Sequence, residues 1–455
     1  MSDQYSLPSE LDFHMLSRMY PSQKTEYRKN PFNAQEFFSG SMIQVMLHKQ
    51  DRSFANPATG CLKFTADVIC SVPVGGTQSL VTDSAVALMG SAWSYFSRYV
   101  SKQSGGSDID QIEWPGRLVN TITNITLNSE EKRGMVSMGF NENTGYINFG
   151  WIVDTACATG ATVTITYNFN IPLLGAMNTS KLIPLFVSDL EFNFTVASPS
   201  DCVRVWAPNA NSLRADRIRI SNVELIYEVL TLEESGFQQL LQMYPNVLSL
   251  KSQSYAYASP QALTSPGTGT QDIIIPFSLN SLKQFIWWAS PSDSNAPGFD
   301  GVNPNLQNYN LIIGSTSYPQ QPIKCDVGEI YYQNSKSFSS FYSSSHTGSC
   351  LRTSIAKAST AGGEFLAYND NTTSWANRQS NSVANKFYCI LDLETINQLK
   401  NNLYSGISTR GSTNTLRLNI SRALKAGVTN NIHMYACYDM VLNFDYVNGR
   451  ITYSN

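Results

Sequence analysis

Two short stretches of this chain repeat one pattern. From Leu190 the sequence reads LEFNFTVA, and 226 positions later, from Leu416, it reads LRLNISRA. Leu190, Phe192 and Phe194 alternate with Glu191, Asn193 and Thr195. Leu416, Leu418 and Ile420 alternate in the same phase with Arg417, Asn419 and Ser421. Successive side chains of a strand point to opposite faces, so each stretch predicts a β-strand with one apolar face. A second pair follows in the same order, VELIYEVL from Val223 and YDMVLNFD from Tyr438, 215 positions apart. The segment joining the pairs is thus 11 residues shorter in the second half, a change that loops absorb. Order and phase together predict two similar β-domains in tandem, each closing on a similar pair of strands.

The rest of the chain agrees with an all-β reading. ATVTITYNFN (Ala161 to Asn170) alternates without a break, and Ser41–Leu47, Cys61–Cys70, Tyr146–Val153 and Gln271–Leu279 also read as strands. Turn-rich segments such as Ser290 to Asn305 separate them. Three helices are expected. Ala87–Val100 puts Leu88, Ala92, Trp93, Phe96 and Val100 on one face, and a second helix runs from an Asp392 N-cap through Leu393, Ile396, Leu399 and Leu403 to Gly406. The third starts at Thr231, has capping-box spacing to Glu234, and carries Phe237, Leu240 and Leu241. It lies near the midpoint and reads as the connection between the domains.

Composition narrows the function. A chain of 455 residues suits two domains of roughly 200–230 residues. Charged residues are 14%, well below the roughly 25% of an ordinary soluble protein. The remaining polar surface is Ser, Thr, Asn, Gln and Tyr, which suits a protein that sits against copies of itself. Net charge is −3, and the one basic stretch, Lys24 to Asn30, includes Glu26. That argues against direct wrapping of nucleic acid, which needs many phosphate-neutralising cations. The eight cysteines are widely spaced without a C-x-x-C, and the four histidines are isolated, so no metal site is expected. The cysteines within strand patterns read as small core residues from a reducing, intracellular compartment. The N-terminal stretch lacks the apolar core of a signal peptide, and the uncharged run from Thr155 to Ser180 is too polar to cross a membrane as a helix.

Two longer segments carry a resemblance. YNFNIPLLGAMNTSKLIPLFVSDLEFNFTVAS (Tyr167 to Ser198), followed by VELIYEVLTLEESGFQQLL (Val223 to Leu241), resembles the first half of double jelly-roll major capsid proteins of double-stranded DNA viruses. That lineage includes polinton-like viruses, virophages and large eukaryotic DNA viruses. Phe387 to Ile420 and Asn431 to Tyr453 resemble the late strands of the second jelly roll. The resemblance implies two tandem eight-stranded antiparallel jelly rolls with short helices in loops. Its boundaries are an N-terminal arm (residues 1–30), a first jelly roll (31–230), a connecting helix (231–245) and a second jelly roll (246–455). It also implies a homotrimeric, pseudo-hexagonal capsomer in an icosahedral virion, assembled inside the host cell. The implied partners are neighbouring trimers, penton proteins and minor capsid proteins. After Glu233 and Glu234, large-virus relatives carry arginine where Ser235 and Gly236 stand here. That departure and the compact length favour the polinton-like or virophage branch.

No residue set nominates an enzyme. The small-residue runs at Ala156–Thr162 and Thr360–Phe365 lack phosphate-loop spacing. Glu191, Glu224, Glu228, Asp439 and Asp445 fall on the polar faces of strands, where a pair could act as in a glycosidase, but solvated or interface acids are commoner. Catalytic, cofactor-binding and metal-ligating residues are therefore all expected to be none. The alternative function is a tandem β-sandwich that binds carbohydrate through Trp287 and Trp288. Adjacent tryptophans in a strand point to opposite faces, so the two cannot form one platform.

Overall fold

A computed structural model describes residues 22–71, 84–127, 131, 134–139, 149–153, 162–179, 181–206, 214–263, 269–291, 298–299, 301, 303–304, 306–337, 387–394, 405–411, 416–422 and 430–454. The first half contributes β1 (Ser22–Lys29), β2 (Met42–Leu47), β3 (Ser53–Ser71), β4 (Phe96–Gln103), β5 (Asp108–Glu113), β6 (Thr162–Pro172), β7 (Leu190–Val196) and β8 (Arg214–Leu232). The second contributes β9 (Val247–Leu263), β10 (Gly269–Ile275), β11 (Leu282–Pro291), β12 (Leu306–Ile313), β13 (Thr316–Lys324), β14 (Cys389–Asp392), β15 (Leu416–Arg422) and β16 (Asn430–Asp445), with β17 (Arg450–Ser454) after it.

Both halves pair these strands in one order, antiparallel throughout. In the first half the sheets run β1-β8-β3-β6 and β2-β7-β4-β5; in the second they run β9-β16-β11-β14 and β10-β15-β12-β13. Adding eight to each number converts one half into the other. The chain is therefore a double jelly roll. The paired stretches that opened the sequence are β7 and β15, each in the middle of a four-stranded sheet, and β8 and β16, each the strand that closes its half. Leu190, Phe192 and Phe194 are buried, as are Leu416, Leu418 and Ile420. A small three-stranded sheet (Ser84–Leu88, Phe149–Val153, Val203–Trp206) has no counterpart among the described residues of the second half.

Among the described residues, three helices are at least ten residues long: α1 (Pro115–Thr126), α2 (Glu234–Met243) and α3 (Val327–Ser337). α2 is the expected connection, but it starts later. Thr231 stays in β8, its hydroxyl 2.9 Å from that of Ser53, so the capping box does not form. Phe237 instead anchors the helix edge-on to Phe186, ring centres 4.8 Å apart. The helix expected at Ala87–Val100 is absent. Gly90 turns the chain at φ 75, a single 3₁₀ turn spans Ala92–Tyr95, and Phe96 onward pairs with β7 as β4. Burial on both sides of Trp93, Tyr95, Phe96 and Tyr99 produced the helix-like spacing. The helix expected after Asp392 lies outside the described residues beyond Glu394. Asp392 itself does accept from the Glu394 amide at 3.0 Å.

The N-terminal boundary also moves. Residues 22–29, assigned above to an arm, form β1 and pair with Leu225–Leu232 of β8. Residues 1–21 lie outside the described set.

Candidate functional site at the seam between the jelly rolls

The most elaborate polar arrangement is the seam where the first jelly roll meets the second. At the end of β5, Trp114 takes a left-handed conformation (φ 52) and Pro115 opens α1. The turn exposes two carbonyls, and the buried Tyr435 hydroxyl of β16 donates to both, to Glu113 O at 3.0 Å and Trp114 O at 2.8 Å. Arg117, one turn into α1, lays its guanidinium 4.0 Å above the Trp114 ring and donates to the Tyr257 hydroxyl at 3.4 Å. Further along α1, Asn120 donates to Phe299 O at 3.0 Å and lies 3.2 Å from the Tyr388 hydroxyl, which Asn124 also meets.

This contact covers an aromatic surface on the outer face of the second half's sheet. Trp288 stacks on His433 and on Tyr435, with centroid distances of 5.4 and 5.9 Å, and Tyr257 lies 4.8 Å from Tyr435. His433 is buried, and its Nδ1 faces the Tyr257 hydroxyl at 3.1 Å. Burial, reinforced by Arg117, pulls its pKa down to about 3, so the ring is neutral.

A second contact lies nearer the chain reversal. Asp110 of β5 is buried, accepts from Ala176 N at 2.8 Å, and accepts a very short bond from the Ser254 hydroxyl of β9. Burial raises its pKa, and the Ser254, Ala176 and Gln111 hydrogen bonds oppose that rise. Gly175, at φ 68, passes so close to Asp110 that a β-carbon would collide with the carboxylate. The Gln103 side chain adds a third link, donating to Gly449 O at 2.8 Å and accepting from Ile451 N at 2.9 Å. Buried apolar residues of both halves form one continuous cluster. The seam is therefore a buried, hydrogen-bonded joint between the two jelly rolls.

The acids singled out in the sequence do not converge on a cleft. Glu191 is buried against Lys102 (3.0 Å), and Glu228 pairs with Lys24 (2.6 Å). Asp445 caps the β16–β17 turn by accepting from Val447 N and Asn448 N. Glu224 and Asp439 form two versions of one triad. Glu224 lies between Arg28 (3.8 Å) of β1 and Lys63 (3.5 Å) of β3. Asp439 lies between Lys251 (3.4 Å) of β9 and Lys283 (3.8 Å) of β11. Contrary to the expectation of a polar strand face, Asp439 is completely buried, and it also accepts from Ser281 Oγ (2.7 Å) and Ser405 N (3.1 Å). Burial pulls the Lys283 ammonium down, but Glu394 and Asp439 outweigh it and leave its pKa raised.

Trp287 and Trp288 are both 0% exposed. Trp287 points into the second core against Tyr309 (5.1 Å), and Trp288 points into the seam. The carbohydrate platform of the alternative reading does not exist. Burial pushes the Cys70 and Cys437 thiols up to about 12, which fits inert core residues. Among the described residues, no cluster of three or more His, Cys, Asp or Glu gathers as a metal site. Ala156–Ala161 and Thr360–Phe365 lie outside the described residues.

No protein-family model and no curated protein sequence matches the chain. Solved structures do. The fold is similar to a chain of the Sputnik virophage structure, with 12% identity over 99% of this chain and 92% of that one, at a TM-score of 0.57. VP54 of PBCV-1, a structure fitted into a Sputnik reconstruction, gives 11% identity over 97% and 98%, TM-score 0.54. The mavirus major capsid protein gives 10% identity over 99% and 94%, TM-score 0.53. At such identities the likeness establishes the fold, and it spans both jelly rolls and the connection between them.

Proposed function

We propose that this chain is the major capsid protein of a DNA virus, a structural protein of the virion rather than an enzyme. Its unit is a homotrimer whose six jelly rolls make a pseudo-hexagonal block, and such blocks tile the facets of an icosahedral shell. The observation that carries the reading is the doubled strand order, joined by a buried seam, in a chain whose full-length structural neighbours include major capsid proteins. A low-charge surface rich in hydrogen-bonding side chains supports it, because a lattice multiplies weak contacts. Neighbouring trimers are the first partners, and penton and minor capsid proteins complete the shell. The alternative of a carbohydrate-binding module has lost the tryptophan pair on which it rested.

Light scattering on the purified chain after size exclusion tests the reading. Three chains of 50.4 kDa make a particle of about 151 kDa, and negative-stain images of that peak should have a hexagonal outline. A chain that stays at 50.4 kDa at every concentration and forms no shells would overturn the proposal.

A further inference from the structure

The two halves repeat surfaces as well as strands, and one pair of those surfaces is already in contact within the chain. In the first half, edge strand β5 runs into α1, whose row Arg117, Asn120 and Asn124 meets the second half. The matching edge of the second half is β13, which runs into α3. Strand registers fix the match. Phe194 of β7 corresponds to Ile420 of β15; their partners are Tyr99 and Tyr309, and across from those stand Ile112 and Ile323. Trp114 caps α1, and Asp326 caps α3 by accepting from Glu329 N at 2.8 Å. Counted from these caps, Arg117, Asn120 and Asn124 fall on Glu329, Tyr332 and Lys336. Tyr332 is 48% exposed, and the Lys336 side chain is 44% exposed.

The receiving surface has a counterpart as well. The triads around Glu224 and Asp439 align β8 with β16. One extra residue bulges β8 at Asn222 (φ 50). Past it, Arg219 falls on Tyr435 and Arg217 on His433. Phe38, across from Arg219, falls on Tyr257, across from Tyr435. In the second half this patch is buried under Trp114 and Arg117. In the first half it faces outward: Phe38 is 40% exposed, Arg217 lies 5.8 Å from its ring centre, and Arg219 pairs with Glu36 at 3.4 Å.

We propose that the Glu329–Tyr332–Lys336 row of α3, with β13 beside it, seats on Phe38, Glu36, Arg217 and Arg219 of a second copy of this chain. The contact between copies then repeats the seam inside each copy, and first and second halves alternate around a ring of six. Charges agree where the seam fixes the match, since Glu329, at the place of Arg117, meets the Arg217–Arg219 pair beside Phe38 as Arg117 meets Tyr257 beside His433. The inference rests on the trimer reading above and names its contact residues. Because the interface is heterologous, it closes only as a ring.

Two surface variants of the full chain test it, Tyr332→Glu and Phe38→Glu, each with its melting temperature checked against the parent. Both side chains are exposed in one copy, so each variant should melt like the parent at dilutions where both are monomeric. Each should weaken trimer formation by about tenfold or more in concentration-dependent light scattering. Hydrogen exchange of the parent trimer should show added protection at residues 316–337 and 22–38. A parent trimer that both variants leave intact, or protection confined to other surfaces, would overturn this inference and leave the capsid reading standing. A parent that never assembles would remove the reading itself, and the inference with it.

Discussion

The outer faces of the two closing sheets share one scaffold and differ in what they meet. In the second half that face carries His433, Tyr435, Trp288 and Tyr257, stacked and covered by the first jelly roll. In the first half the matching positions carry Arg217, Arg219 and Phe38, with Arg219 paired to Glu36 and Asp67 and Phe38 open to solvent. A face covered from the moment of folding can be aromatic and dry. A face that must stay soluble until another molecule arrives keeps its charges. The triads repeat the contrast: Asp439 is wholly buried, whereas Arg28 and Lys63 around Glu224 are about half exposed. Duplication preserved the strand order and the charge pattern; the first jelly roll covers the aromatic face, whereas Asp439 is covered by Ser281 and Ser405 of its own half.

The strongest test of that contrast is acid. His433 titrates near 6.5 in an unfolded chain and at about 3 when folded. The seam's contribution is therefore fully present above pH 6.5 and is lost as pH falls toward 3, because the unfolded chain takes up a proton that the folded chain refuses. The shift corresponds to about 4 kcal/mol at the acid end of that window. Urea unfolding of the parent and of His433→Phe should converge or cross as pH falls, with the variant losing less stability. Parallel curves would mean that the ring is not held neutral. Asp110 acts in the opposite sense: its raised pKa makes acid relieve, rather than add to, its cost of burial.

Next in size is Asp439→Asn. It removes the buried carboxylate charge that Lys251 and Lys283 share, so it should cost about 3 kcal/mol in urea unfolding, as expected when a buried pair loses one member. Smaller again is Tyr435→Phe, which keeps the stacked ring but removes the hydroxyl that donates to the Glu113 and Trp114 carbonyls across the seam. A loss of about 1–2 kcal/mol is expected. It should come with faster amide exchange in β5 and α1 rather than in β12 or β15.

Much of this architecture was legible in the residues. Alternation at Leu190 and Leu416 located β7 and β15 and their shared phase, because a period of two survives divergence as long as one face stays buried. The seam was not legible. Its helix α1 is built from PGRLVNTITNIT, poor in helix formers, and its threonines bond back to carbonyls four residues earlier, as Thr123 does to Val119 O at 2.7 Å. Packing against the second half compensates for weak propensity there, and packing between distant segments leaves no local period. At Ala87–Val100 the error ran the other way, since burial on every side imitated a helical stripe. The one local trace of the seam was Trp114-Pro115, a strand end followed at once by a helix-starting proline.

The smallest expected effect is the sharpest control on the comparison. Glu224→Gln removes the carboxylate from a triad chemically equivalent to that of Asp439. Its cations are about half exposed, water screens them, and they keep their solvation when the acid is gone. The loss should stay under about 1 kcal/mol and shrink further in high salt, measured by urea unfolding beside Asp439→Asn. Equal losses at the two sites would mean that the triad chemistry, not its neighbour, sets the energy. If the salt dependence of Glu224→Gln appears only in dilute monomer and vanishes in the assembled trimer, the face around β1 and β8 is covered on assembly. The exposed triad then becomes, in the particle, what Asp439 already is within the chain.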